Sequence, residues 1–154
     1  MLGRIGIGVG VRAGAPKPDL ASVESFKRAL LEARSVAYQG EGASGVYFAG
    51  LVERLGIAAQ MKPKMRPMPA EDTVEVVARG EADLVVVVAS RMFGVPGVEM
   101  AGLIPRELQT SIGFVAGAAS AARDPEAARA LIRFFTAPAA APVLEGMGIE
   151  PFVE

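Results

Sequence analysis

The residues whose types and spacing could carry chemistry cluster at Gly40-Glu41-Gly42-Ala43-Ser44-Gly45. This segment follows a short apolar run, Ser35 to Tyr38, and precedes a stretch with helical apolar spacing, so it reads as a turn from a strand into a helix. A helix start leaves its first N–H groups without partners, beside the positive end of the helix dipole. Glycines let a ligand approach that backbone closely, Ser44 adds a hydroxyl, and the combination suits a small anion. A glycine-rich capping turn with no ligand is the plainer alternative. No Gly-Lys-Ser/Thr follows, so it is not a nucleotide phosphate loop. Gly42, Ala43, Ser44 and Gly45 are therefore candidate ligand-binding residues. Thr73 joins them, because Pro69-Ala70-Glu71-Asp72 places it in the first turn of a later helix. In a parallel sheet both helix starts share one edge, where open α/β sheets bind ligands.

The other constellations read as structure. Gly6, Gly8 and Gly10 share one strand face but are followed by Gly14, Pro16 and Pro18, so no helix start stands where a dinucleotide pyrophosphate would sit. Glu71 and Asp72 are adjacent on a predicted helix, do not face each other, and suit its first turn electrostatically. With no His and no Cys, the chain lacks the commonest zinc ligands, a histidine base and a thiol nucleophile. It is expected not to be an enzyme, with no catalytic residue, no metal site and no cofactor. Sixteen basic against seventeen acidic residues provide no field to gather nucleic acid.

The elements that must position these residues form an α/β pattern. At 154 residues the chain is the size of one domain and can bury roughly 70% of its unfolded surface. Ile5 to Val11 reads as a strand with one bare face, and Ser22 caps a helix carrying Val23, Phe26 and Leu30. Tyr47, Phe48, Leu51, Val52 and Leu55 mark the helix after the glycine turn, which Gly56 stops. Lys62 to Met68, with two prolines, suits an edge strand; a nucleic-acid stripe would need interleaved aromatics. Glu71 and Asp72 open a helix closed at Gly80, and Leu84 to Val88 is a strand covered on both faces. Met100–Ile104 and Gln109–Val115 are further strands. Asp124-Pro125-Glu126 starts a helix whose inner face is Leu131, Ile132 and Phe135, and a last helix is shortened or kinked by Pro142. Together these predict a mostly parallel sheet flanked by helices. The Ala-rich stretch 116–122 is the best candidate for a lobe boundary. The start, Met1-Leu2-Gly3-Arg4, has no signal-peptide pattern, and the longest apolar run, Leu84 to Ala89, is too short to span a bilayer.

Several segments resemble one family. Gly42-Ala43-Ser44-Gly45-Val46-Tyr47 with the Leu51-Val52-Glu53-Arg54-Leu55-Gly56 helix end is similar to bacterial solute-binding proteins of the molybdate-binding type. So are 9–19, Val77 to Asp83, Val95-Pro96-Gly97-Val98 and Asp124 to Ala128, in the same order over nearly the whole chain. The resemblance implies the type II periplasmic-binding-protein fold, two α/β lobes joined by crossover strands with the ligand in the cleft. It divides the chain into a crossover strand (1–12), an α/β ligand-binding lobe (13–108), and a return strand with C-terminal helices of an incomplete first lobe (109–154), most of that lobe being missing before Met1. It implies a periplasmic binder of a small anionic or polar solute, partnered by the membrane permease of an ABC transporter. The molybdate binders carry a Tyr where this chain has Val88, which points to another oxyanion or small polar molecule. Helices of the first lobe without their cover imply a homo-oligomer, with exchanged C-terminal helices as the simplest form. Two other functions fit the same architecture: an effector-sensing lobe of a bacterial transcription regulator, and an assembly module that has lost binding.

Overall fold

The computed structural model describes residues 1–152. The chain divides into two compact units, one formed by Gly6–Thr110 and one by Met1–Ile5 with Ser111–Glu154. The division after Thr110 lies ahead of the Ala-rich stretch 116–122, which is an exposed irregular segment within the second of these units. Small residues there mark a surface loop rather than a boundary.

In the Gly6–Thr110 unit, strands β1 (Gly3–Arg12), β2 (Val36–Gln39), β3 (Met65–Met68), β4 (Leu84–Val88) and β5 (Val98–Leu103) lie in the order β3-β2-β4-β1-β5. Strands β3, β2 and β4 are parallel, as the alternation of strands and helices predicts, whereas β1 runs antiparallel to both β4 and β5. Strand β3 stands at the edge, where Pro67 removes no needed donor. Strand β4 is buried on both faces. Leu84 and Val86 face a core with Ile7, Val9 and Val11 of β1, and Val85 and Val87 face a second core with Ala37 and Met92. Two helices cover the first core: α1 (Val23–Glu32), through Phe26 and Leu30, and α2 (Ala43–Arg54), through Phe48, Leu51 and Val52. The short α3 (Ala58–Met61) adds Met61. The bare face of β1 is filled from the opposite side: a Cβ on Gly10 would lie 2.6 Å from Met92 Sδ, and one on Gly8 3.0 Å from Met92 Cε. These glycines admit side chains, not a dinucleotide.

Local signals set the element ends. Ser22 accepts from the Ser25 N–H, and Ser25 returns the bond to the Ser22 N–H, closing a reciprocal cap on α1. Gly56, at φ +70°, ends α2. The predicted helix from Glu71 is shorter than its pattern: α4 spans only Glu75–Ala78. Residues 70–74 form turns instead, in which Thr73 Oγ1 donates to the Pro69 carbonyl and Asp72 pairs with Arg79.

Asp83, at the start of β4, accepts from the Arg34 backbone N–H (2.9 Å) and guanidinium (2.8 Å). That side-chain hydrogen bond holds its carboxyl below the usual carboxylate range. A depressed folded value adds stability above the unfolded value near 4, and this is lost as pH falls through the folded value. Asp83→Asn should therefore flatten the acid limb of stability below about pH 4, measured by urea unfolding at descending pH. An unchanged slope would count against the pairing.

In the other unit, β7 (Glu150–Pro151) and β6 (Ser111–Phe114) pair with the start of β1. Glu150 takes two bonds from the Arg4 guanidinium, at 2.6 and 2.8 Å. Asp124 caps α5 (Pro125–Thr136) by accepting from the Ala127 N–H. Pro142 stands in the first turn of α6 (Ala141–Gly146), where its missing N–H costs no helical bond. The face assigned inward on α5 is largely open: Leu131 and Phe135 are exposed, Ile132 is half-buried, and none of the described residues from Ser111 onward is buried. Among the described residues no single helix is long and apolar enough to cross a membrane.

Candidate functional site

Parallel β2, β3 and β4 end at one edge of the sheet, and each continues into a loop there. After β2 the Gly40 N–H still bonds to the Met68 carbonyl at 2.9 Å, and the chain then turns through Gly42 into α2. Gly42 takes φ +131°, a value that side-chain-bearing residues rarely adopt, and caps the helix without a side-chain bond. The first helical bond there is Val46 N–H to the Gly42 carbonyl, at 3.1 Å. Among the described residues, the N–H groups of Ala43, Ser44 and Gly45 thus have no partner, beside the positive end of a twelve-residue helix.

Gly45 makes that position possible. A Cβ added there would lie 1.6 Å from the Gln39 carbonyl oxygen, so α2 starts hard against the end of β2 only because the residue has no side chain. Ser44 beside it is buried, whereas Gly42 and Ala43 are exposed.

The second predicted helix start contributes differently. Thr73 is fully buried and its hydroxyl donates to Pro69 at 2.7 Å, so it shapes the loop from within. The helix after it has only four residues and offers no extended dipole. The structure brings that loop to the glycine turn: Gln39, Gly40 and Glu41 form one wall of a groove of about 470 Å³, and Pro69, Ala70 and Glu71 the other. Glu41 and Glu71 place negative charge at this groove. Arg91, in the 3-10 turn after β4, donates to the Ala70 carbonyl and sets a cation on the same loop. A comparable groove of about 490 Å³ lies at the opposite end of β4, among Arg12, Lys17, Arg34 and Asp83. Its charged groups are largely engaged, Lys17 with Glu99 and Arg34 with Asp83, and no helix start opens onto it.

Sequence reasoning missed Gln39, Arg91, Tyr47 in its hydrogen-bonding role, and Gln109. The Tyr47 hydroxyl donates to the Leu108 carbonyl at 2.6 Å, and its ring lies under Arg54. Gln109 Oε1 accepts from the Ile7 N–H at 2.7 Å while Nε2 donates to the Ile7 carbonyl at 2.9 Å. No local pattern announces a bond between residues about a hundred positions apart. The described residues hold no group of three or more side chains arranged to hold a metal ion.

Comparison with known proteins adds a family to this geometry. The family described as bacterial extracellular solute-binding protein matches residues 2–150. A protein of Pseudomonas sp. named aconitate isomerase is 40% identical over 151 residues, covering 97% of this chain and 57% of that protein. The substrate-binding domain of a molybdenum ABC transporter from Clostridium difficile superposes with a TM-score of 0.73 at 14% identity, over 99% of this chain and 65% of that one. The periplasmic molybdate-binding protein of Azotobacter vinelandii gives 0.68 at 16% identity, over 99% and 68%. The two structures establish the fold. The chain spans little more than half the length of the Pseudomonas relative.

Proposed function

This chain belongs to the bacterial extracellular solute-binding proteins, and from that premise we propose that it forms part of the site for a small anionic solute, held by the N–H groups of Ala43, Ser44 and Gly45. The observation that carries this reading is the set of three unpartnered N–H groups at the start of α2. Gly42 leaves the backbone open to the solute, Ser44 adds a hydroxyl, and Thr73 acts indirectly by fixing the Pro69–Glu71 wall. Arg91, bonded to the Ala70 carbonyl, supplies a cation to the loop that carries Glu71. The 40% identity to a protein named for aconitate favours an organic carboxylate over molybdate, whose binders share only the fold at this level of identity. Delivery to the membrane permease of an ABC transporter, from a periplasmic location, is the role this family membership supports.

The chain alone should bind weakly. A helix start contributes about 0.3–1 kcal/mol, up to roughly 2 when partly buried, and a net hydrogen bond about 0.5–1.5. One such start, three N–H groups and a hydroxyl reach about 4–5 kcal/mol, which is millimolar, whereas micromolar affinity needs about 8. Titrating the chain with citrate, aconitate or molybdate should shift the amide resonances of Ala43, Ser44 and Gly45 with a millimolar constant. Shifts confined to the groove at Arg12 and Lys17 would overturn the placement, and micromolar binding by a monomer would overturn the arithmetic.

A second reading follows from the same relative: the whole protein interconverts aconitate isomers. That chemistry needs a proton acceptor at the substrate, and Glu41 and Glu71 are the carboxylates at the groove. Incubating the chain with one aconitate isomer and following the other by proton resonance separates the readings. Accumulation of the second isomer, lost in Glu41→Gln or Glu71→Gln, would establish the isomerase.

A further inference from the structure

We propose that Tyr47 and Gln109 are positioning residues that together fix the solute-facing start of α2 to β1, through the segment 108–110. The Tyr47 hydroxyl, one turn into α2, reaches the Leu108 carbonyl at 2.6 Å. The next residue, Gln109, pairs with Ile7 through both ends of its side-chain amide, as a neighbouring strand would, and also accepts from the Thr110 N–H at 3.2 Å. Ile7 lies opposite Val88, so this pairing stands at the sheet edge that carries the glycine turn. The paired register of β5 with β1 ends with Leu103 opposite Gly8. Beyond it the Ile104 N–H donates to the Ile7 carbonyl at 3.1 Å, a carbonyl that the Gln109 amide shares, and that amide alone takes up the Ile7 N–H. Gly6 leaves room for it: a Cβ there would meet the amide Cδ and Nε2 at 3.1 Å.

This segment ends where the chain leaves the unit, between Thr110 and Ser111, and Ile7, to which Gln109 is bonded, closely follows the other crossing, between Ile5 and Gly6. Tyr47 grips the segment from α2, and Gln109 within it is tied to Ile7 of β1. Displacing the segment must therefore either break a hydrogen bond or carry the start of α2 with it. Neither residue touches the solute in the proposed site; they determine where its N–H groups point.

The coupling is testable without a solute, by amide hydrogen exchange on the full chain. Tyr47→Phe keeps the ring under Arg54 and removes only the hydroxyl. It should speed exchange at Ile7 and Thr110, whose N–H groups bond to Gln109 and not to Tyr47. Gly6→Ala, which crowds the Gln109 amide, should do the same and should also alter the amide resonances of Ala43 to Gly45. Changes confined to the neighbours of each substituted residue would overturn the proposal. The consequence for binding rests on the proposed solute site. There, Tyr47→Phe should weaken citrate binding about 2- to 12-fold, the worth of one net hydrogen bond. Tyr47→Phe and Gln109→Met should combine less than additively, because they act through one segment. If the unsubstituted chain binds no carboxylate, the solute reading fails and exchange still decides the coupling. If it binds and Tyr47→Phe binds equally well, the coupling to the site is refuted.

Discussion

Replacing Gly45 with alanine lowers the thermal midpoint by roughly 10 °C, whereas the same change at Gly50, on the same helix, leaves it equal or slightly higher. The added methyl at Gly45 would lie 1.6 Å from the Gln39 carbonyl oxygen and 2.8 Å from its carbon. Both are backbone atoms, so no rotamer change relieves the clash, and α2 must move away from β2. That motion opens the packing of Phe48, Leu51 and Val52 against the core. Overpacking typically costs about 1–3 kcal/mol and occasionally more, and a contact with main chain belongs at the upper end. At about 2–4 °C per kcal/mol for a chain of this size, about 3 kcal/mol gives the stated shift. Gly50 is exposed and a Cβ there meets nothing within 4 Å, so alanine brings only its helix propensity, about 0.5–1 kcal/mol in favour. The pair separates contact from propensity on one helix. Equal midpoints for the two variants would show that α2 does not approach β2 this closely. The same displacement carries the N–H groups of Ala43 to Gly45 out of place, so Gly45→Ala should also lose whatever anion the turn holds.

What the sequence makes legible is what local physics decides. The Ser22 cap, the Gly56 stop and the Asp124-Pro125 start are each set by a few neighbouring residues, and the structure has all three. The glycine turn is legible for the same reason: strand, glycines and helix are adjacent in the chain. The direction of β1 is not. The Leu84–Val88 run announces burial on both faces, but nothing in it says that one neighbour runs parallel and the other antiparallel. Helix α4 is shorter than its pattern, and the turns before it carry local side-chain bonds, Asp72 to Arg79 and Thr73 to Pro69, that composition does not announce. Arg91 and Gln109 were invisible as site residues because their partners depend on which strand edge they reach. Alanines at 116–122 suggest a boundary by composition, whereas the division falls after Thr110, ahead of β6.

The chain by itself is expected to scatter light as an assembly larger than one 154-residue chain. Phe134 and Val143 are 68% and 69% exposed, and Leu131, Phe135 and Phe152 are also open, all within the unit that includes α5 and α6. None of the described residues from Ser111 onward is buried, so this unit has apolar side chains but little core to receive them. Fully burying one such side chain contributes roughly 1.5–3 kcal/mol. Covering the exposed half or so of five of them is therefore worth about 4–8 kcal/mol by the same measure, comparable with a domain's whole net stability of about 5–15. Soluble monomers rarely display a contiguous patch of that kind. The periodicity of α5 shows that the face is built for packing, with Leu131 and Phe135 one turn apart and Phe134 between them. A second copy is the simplest cover, since a two-fold pair presents each helix to its equivalent and closes without leaving a free face. Exchange of α5 and α6 between the copies would satisfy the same need. Multi-angle scattering at micromolar concentration tests this. The unsubstituted chain should exceed the mass of one chain, and Leu131→Asp with Phe134→Asp should return it toward that mass, because both carboxylates would have to be desolvated at the contact. A stable single-chain mass for the unsubstituted protein would show that α5 needs no partner.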